Sequence, residues 1–347
     1  MSASASEHPP FSSLPLDKAG PHGNAWGRWG PDDQIGTLNH LTPEVVAQAA
    51  REEIRTGERV SLNWSMAGPW NPKLGRKCLD VKLINKEPVK VAHDDEVYHM
   101  FPWGIAQIIN PYQWSFNSQI SSQWDGFRHY GYQKEKVYFM GHTAEEFQTS
   151  TVNGIHHIAK QGIAGRGILI DWYKWATSQP NMKETIDAFT PHAIPFPSLL
   201  EAAASQGLRP EDFLPGDTLF IRSGYIHQYE TLTPEKRDTL SARYQTQKPE
   251  NIGIEPSEPL LQFLWDKQIA AVAGDSRSFE VWPCTKPEWH LHEWLLAGWG
   301  MPIGELFNLE ELSRMCERNG RYTFFVSSEV LDVPGGVASP PNALAFF

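Results

Sequence analysis

The stretch SSQWDGFRHY contains side chains that could carry out acid–base or metal chemistry. If the chain here is a β-strand, Gln119, Gln123 and Asp125 point to one face, because strand side chains alternate. Gly126 then lets the chain turn, and His129 returns beside the carboxylate. Carboxylate and amide oxygens suit a hard divalent cation better than zinc, and histidine suits proton transfer near neutral pH. The pattern is a candidate site in which His129 and Asp125 are catalytic.

A polar strand face that ends in a solvated turn would give the same spacing, and spacing alone favours that plainer interpretation. The aromatic neighbours Trp124 and Phe127 are likewise open to two interpretations. They could line a substrate pocket or pack in a core.

A second candidate set lies in WHLHEWLLAGWGMPIGELFNLEEL, where His292 and Glu305 are 13 residues apart. A helix followed by a loop through Gly298 and Gly300 could bring the two side chains together. The alternative is a surface histidine and a glutamate that stabilises a helix N-terminus. Trp282, one of several tryptophans nearby, could line an aromatic substrate cleft or belong to the core.

Asp275 ends the apolar run IAAVAGD, and the ends of strands are where α/β proteins usually build their sites. It is therefore a candidate substrate contact, although an aspartate that caps the next turn would look the same. The sequence contains no Walker loop, dinucleotide fingerprint or nucleophile elbow.

Strands alternate with helices along the chain, which predicts an α/β fold. Residues 1–24 are polar and rich in serine and proline, and we expect a flexible tail there. Residues 25–347 are expected to form a single domain. The predicted helices are 42–57, 197–208, 259–268, 288–298 and 309–319, and the predicted strands are 59–66, 165–172, 216–225, 269–276 and 322–333.

Composition restricts the possible partners. The net charge of −11 argues against nucleic acid and against an anionic membrane surface, because both require a basic face. Three widely spaced cysteines give no disulfide framework, and no apolar segment resembles a signal peptide or a membrane span. We expect a cytoplasmic protein that binds a small molecule.

Several blocks in order resemble the cyclase family, which includes bacterial kynurenine formamidase and isatin hydrolase. These blocks are WGRWGPDDQIGTLNHLTPEVV, GIAGRGILID, GDTLFIRSGY, IAAVAGDSRSFE, HEWLLAGWGMPIGELFNLEEL and PGGVASPPNALAFF. The family signature is His-x-Gly-Thr-His-x-Asp-x-x-x-His. When this sequence is aligned with the signature on Asp125, it keeps the aspartate and the last histidine, His129. It has Gln119 and Gln123 in place of two metal-ligating histidines.

The resemblance implies a swivelling β/β/α fold, a barrel-like mixed sheet with surrounding helices, and a homo-oligomer. It assigns acid–base catalysis to His129 and metal ligation to Asp125, His292 and Glu305. Gln119 and Gln123 occupy the two remaining ligand positions, and as neutral amides they would bind zinc-like metals more weakly than imidazole does. The implied cofactor is a divalent metal, Mn²⁺ or Zn²⁺.

The resemblance also implies an activity. A hydrolase would open a carbon–nitrogen bond, in a formamide or a cyclic amide of a small aromatic compound, with arylformamidase-like chemistry as in tryptophan catabolism. The sequence leaves three alternatives open: a lyase- or isomerase-type enzyme that uses Asp125 and His129, an enzyme that acts on lactones, and a metal-free binding protein.

Overall fold

The structure is a computed structural model that describes residues 8–69, 79–81 and 114–347. Its strands are β1 (Arg59–Ser61), β2 (Asp80–Val81), β3 (Trp114–Ser115), β4 (Gln123–Asp125), β5 (Ile163–Ile170), β6 (Ala193–Ile194), β7 (Thr218–Ile221), β8 (Gly253–Ile254), β9 (Ala271–Gly274), β10 (Ile303–Glu305), β11 (Thr323–Ser328), β12 (Ala338–Ser339) and β13 (Ala343–Phe346). Its α-helices are α1 (Pro43–Glu53), α2 (His156–Ala159), α3 (Trp172–Ser178), α4 (Phe196–Ser205), α5 (Tyr225–Glu230), α6 (Pro234–Thr246), α7 (Glu258–Asp266) and α8 (Glu310–Asn319), and a π-helix spans Glu293–Trp299.

Nine of these strands form one mixed sheet, in the order β1-β13-β11-β5-β7-β9-β10-β4-β12. The neighbours β5, β7, β9 and β10 are parallel, and the pairings on either side of them are antiparallel. The parallel strands β7 and β9 are buried along their whole length, as expected when a strand is covered on both faces. The sheet is curled and surrounded by helices, which confirms the predicted α/β class and the barrel-like mixed sheet.

Residues that favour the start of a helix explain why α1 begins where it was predicted to begin. Thr42 accepts a hydrogen bond from the amide of Val45, so it caps α1 as predicted, and Pro43 occupies the first turn. The helix ends at Glu53, earlier than the predicted end at Gly57. The predicted strands at β5, β7, β9 and β11 and the predicted helices at α4, α7 and α8 are present, whereas α3, α5 and α6 were not predicted.

The predicted strand through the glutamines is shorter than expected. Only Gln123–Asp125 is a strand, and Gln119 lies in the turn before it. The side chain and the carbonyl of Asn117 accept hydrogen bonds from the amides of Gln119 and Ile120, which holds the turn. Gln119 therefore reaches the site from a turn and not from the face of a strand.

Residues 8–24 pack against the rest of the protein, in contrast to the flexible tail predicted over 1–24. The Phe11 ring stacks on Trp294 with 5.7 Å between centroids, and the indole nitrogen of Trp265 donates to the Pro9 carbonyl at 2.7 Å. Aromatic contact area outweighs the polar composition that suggested flexibility. Residues 1–7 of the predicted tail lie outside the described residues, and the domain boundary at residue 25 stays a prediction.

Among the described residues, no helix is both long enough and apolar enough to cross a membrane. Cys284 and Cys316 are free thiols, and Cys78 lies outside the described residues.

Candidate active site

The pairing of β4 with β10 builds the floor of the site. The antiparallel register places Gln123 directly opposite Glu305, so the two side chains emerge on the same face of the sheet. The Gln123 amide nitrogen donates to Glu305 Oε2 at 2.6 Å, and both residues are buried. Two residues that are 182 positions apart in the sequence thus meet through strand pairing alone.

Asp125 ends the strand β4, and His129 lies in the turn that follows it. Asp125 is fully buried, and its Oδ2 lies 3.8 Å from His129 Nε2. The Gln119 amide nitrogen donates to Asp125 Oδ1 at 2.7 Å and lies 3.1 Å from His129 Nδ1. Gln119 therefore holds the carboxylate and the imidazole together. His129 keeps 22% of its side-chain surface exposed, so it can exchange protons with a bound molecule or with solvent.

His292 occupies the N-cap of the π-helix and connects two carboxylates. Its Nδ1 lies 2.5 Å from Glu280 Oε1, and its Nε2 lies 3.5 Å from Glu305 Oε1. Burial by itself would lower the pKa of His292, but the hydrogen bonds and charges of Glu280 and Glu305 outweigh it and raise the pKa to about 10. Without a cation, a protonated His292 offsets the charge of these buried carboxylates.

The donor set fits a divalent cation. Ligand atoms of Asp125, His129 and His292 lie within 4.8 Å of one another. Two buried oxygens at this point have no hydrogen-bond partner within the described part of the chain. One is Oδ2 of Asp125 itself, and the other is Oε1 of the neighbouring Gln123. Buried oxygens without partners are costly, and a cation would satisfy both. Glu305, 3.5 Å from His292, adds a further carboxylate.

The structure places three predicted substrate contacts elsewhere. Trp124 is fully buried, donates to Ser328 Oγ at 2.9 Å and packs on Phe307. Phe127 packs on Phe139 in the core. Trp124 points away from the site because neighbouring strand residues face opposite sides of the sheet, and Phe127 is held in the core by its packing on Phe139.

Asp275 is also enclosed. Its carboxylate accepts hydrogen bonds from the amide and hydroxyl of Ser223 and from the amide of Gly224, at 2.6, 2.7 and 2.9 Å. Burial raises its pKa to about 6 against the opposing effect of these bonds. Asp275 fixes the loop that follows β7. Trp282, in contrast, stays half-buried beside the site, with its ring centroid 6.3 Å from that of His292.

Two side chains of the site were missed by reasoning from the sequence. Glu280 is fully buried and accepts hydrogen bonds from the amides of Leu291 and His292 as well as from the His292 ring. The Tyr130 ring lies 5.3 Å from that of His292, and burial together with nearby carboxylates raises the Tyr130 pKa to about 12. A lone acid inside the apolar run SFEVW was the signal that could have identified Glu280.

Comparison with known proteins identifies the family of this chain. The family model named Cyclase matches residues 88–281, more than half of the 347 residues. The chain belongs to the cyclase family. A comparison with curated protein sequences gave no match.

Solved structures share the cyclase fold. A crystal structure described as a novel cyclase is 28% identical, with a TM-score of 0.73 over 93% of this chain and 99% of that one. Isatin hydrolase A from Labrenzia aggregata, bound to benzyl benzoate, is 13% identical, with a TM-score of 0.51 over 89% of this chain and 98% of that one. Isatin hydrolase A from Ralstonia solanacearum is 14% identical, with a TM-score of 0.50 over 87% of this chain and 95% of that one. At these identities the two isatin hydrolases are evidence of the fold alone.

Proposed function

We propose that this cyclase-family protein is a metal-dependent hydrolase that opens a carbon–nitrogen bond in a small aromatic formamide or cyclic amide. The observation that carries the proposal is the cluster of Asp125, His129 and His292 beside two buried oxygens that lack hydrogen-bond partners among the described residues. A metal-free binding pocket would have no need to concentrate unpaired oxygens and carboxylates at one buried point.

Asp125, His292 and Glu305 would hold the cation, with the Gln123 oxygen beside them. A bound divalent cation supplies Lewis acidity toward a substrate carbonyl and makes water nucleophilic at neutral pH. His129 moves the proton, because it is the partly exposed imidazole of the cluster, whereas His292 is buried between two carboxylates. Gln119 positions His129 against Asp125 through its amide nitrogen.

The donor set favours Mn²⁺ over Zn²⁺. Gln123 donates its amide hydrogen to Glu305, so the atom that it presents to the site is its oxygen. A glutamine in place of a histidine thus changes a nitrogen donor into a neutral oxygen donor. Oxygen-rich sets suit manganese and magnesium, whereas imidazole suits zinc.

The proposed substrate class rests on the aromatic wall of the site and on the fold relatives. Trp282 and Tyr130 place their rings 6.3 and 5.3 Å from the His292 ring, where they could contact a flat substrate. The isatin hydrolases that share the fold act on isatin, a cyclic amide, as their name states. An N-formyl aromatic amine, the arylformamidase type of substrate, contains the same kind of amide carbon–nitrogen bond outside a ring.

Reconstitution of metal-stripped protein tests the proposal. The protein is treated with a chelator, loaded with Mn²⁺ or Zn²⁺, and assayed for hydrolysis of isatin, an N-formyl aromatic amine and an aromatic lactone. We expect the amide substrates to be turned over, with Mn²⁺ giving the higher rate. Absence of hydrolysis under every metal condition, in protein shown to be folded, would contradict the proposal, and preference for the lactone would correct the bond type.

A further inference from the structure

Glu280, Cys284 and His290 form a second cluster of metal-ligating side chains, next to the first. Each contributes one ligand atom, and these atoms lie within 4.8 Å of one another. A thiol, an imidazole and a carboxylate together suit zinc and similar thiophilic divalent metals. The first cluster, by contrast, is rich in oxygen and contains no thiol.

His290 gives an independent indication of a missing ligand. The residue is only 7% exposed, and its Nε2 has no hydrogen-bond partner in the described residues. Glu280 Oε1 lies 3.5 Å from that nitrogen, without the geometry of a hydrogen bond. A buried ring nitrogen that is left unpaired costs free energy, which a metal ion at this point would recover.

Glu280 connects the two clusters. Its carboxylate is fully buried and accepts a hydrogen bond from His292 Nδ1, so it holds a side chain of the first site in place. The same carboxylate also lies close to Cys284 and His290. Loss of a carboxylate that orients a metal-binding histidine typically lowers metal affinity or activity about 10- to 100-fold. A cation on Glu280 would therefore change how firmly His292 is held.

Cys284 is half-buried, so a cation can reach it from the surface. Burial and the neighbouring Glu280 charge raise its pKa to about 12, so the free side chain is a neutral thiol. A metal ion that binds there must displace the thiol proton to solvent, as metals do at cysteine sites.

We propose that Glu280, Cys284 and His290 form a second metal site, which binds a thiophilic divalent cation such as zinc and is joined to the first site through Glu280. Nothing in this proposal requires the hydrolase activity. It stands on the geometry of the second cluster and on the unpaired His290 nitrogen.

Cobalt is a suitable probe, because a thiolate bound to Co²⁺ gives a near-ultraviolet charge-transfer band and oxygen or imidazole ligands do not. Reduced, metal-stripped protein is titrated with Co²⁺ after saturation with Mn²⁺, which occupies the oxygen-rich site. We expect the band to saturate at one thiolate-bound cobalt per chain. A wild-type protein that shows no band at any cobalt concentration overturns the proposal.

Variants locate the site. Cys284→Ser should abolish the band. His290→Gln should weaken cobalt binding by more than about tenfold, because losing a ligand lowers metal affinity at least as much as losing a residue that only hydrogen-bonds to a ligand. Cys78→Ser and Cys316→Ala change the other two cysteines and should keep the band. A band that persists in Cys284→Ser overturns the proposal. Should that variant fail to fold, His290→Gln decides, because unchanged cobalt affinity in it is equally contradictory.

Discussion

Replacing Glu280 by glutamine should destabilise the protein strongly, because this buried carboxylate accepts hydrogen bonds from three donors. These are the His292 ring at 2.5 Å and the amides of His292 and Leu291 at 2.9 and 3.2 Å. Glutamine keeps the size of the side chain but loses the charge. Its amide group would also face a backbone N–H, so that two donors would oppose each other in the core.

The magnitude follows from two arguments that agree. Breaking a buried ion pair by removing one partner typically costs about 3–5 kcal/mol. The rise of the His292 pKa from its ordinary 6.5 to about 10 corresponds, at about 1.4 kcal/mol per pH unit, to a ceiling of about 5 kcal/mol. Glu305 contributes part of that rise, so we expect Glu280→Gln to cost about 3–5 kcal/mol at pH 6.

The cost should also depend on pH. A histidine whose pKa is higher in the folded state contributes stability that is complete below its unfolded pKa and is lost as pH rises through the folded pKa. The difference in unfolding free energy between wild type and Glu280→Gln should therefore shrink from pH 6.5 toward pH 10, to about 1–2 kcal/mol at pH 9.

Denaturant unfolding of metal-stripped protein at pH 6, 7.5 and 9 measures this difference. Glu288→Gln is the matched control, since Glu288 is an exposed acid on the same segment and should change stability by less than about 0.5 kcal/mol. A cost below about 1 kcal/mol at pH 6, or a cost that does not vary with pH, would refute the assignment of Glu280 and His292 as a buried ion pair.

Three further outcomes are expected. His129→Gln should lower kcat about a hundredfold or more, the usual share of general acid–base catalysis, while circular dichroism and metal content stay unchanged; lost metal content would make His129 a ligand instead. Replacing Gln119 and Gln123 together by histidine should raise zinc affinity about tenfold or more in a chelator competition, because imidazole suits zinc better than an amide oxygen. Gly23→Ala should cost at least about 2 kcal/mol more than Gly57→Ala, since both glycines have positive φ but only at Gly23 would the added methyl overlap an indole ring; equal melting temperatures for the two variants would refute this.

The sequence by itself determined many of the local elements and pointed to most of the candidate site residues. Thr42 with Pro43 sets the start of α1, and apolar runs define the parallel strands that include β7 and β9. The spacing of Asp125 and His129 and the resemblance to cyclases identified the two catalytic candidates. These signals are local, or they are ordered blocks in one chain, so they can be read without knowing which segments meet.

Tertiary structure decided which of the candidates share a site. Gln123 reaches Glu305 through strand register, whereas Trp124, one position on, turns into the core, because neighbouring strand residues face opposite ways. Asp275 looked like a site residue at the end of a strand, yet the loop that starts at Ser223 encloses it. Glu280 is the opposite case, a site residue that was not predicted. Tertiary packing brings its carboxylate to the imidazole of His292, which lies 12 positions later in the sequence. Sequence patterns record residue types and local spacing, but contacts of this kind depend on how distant segments pack.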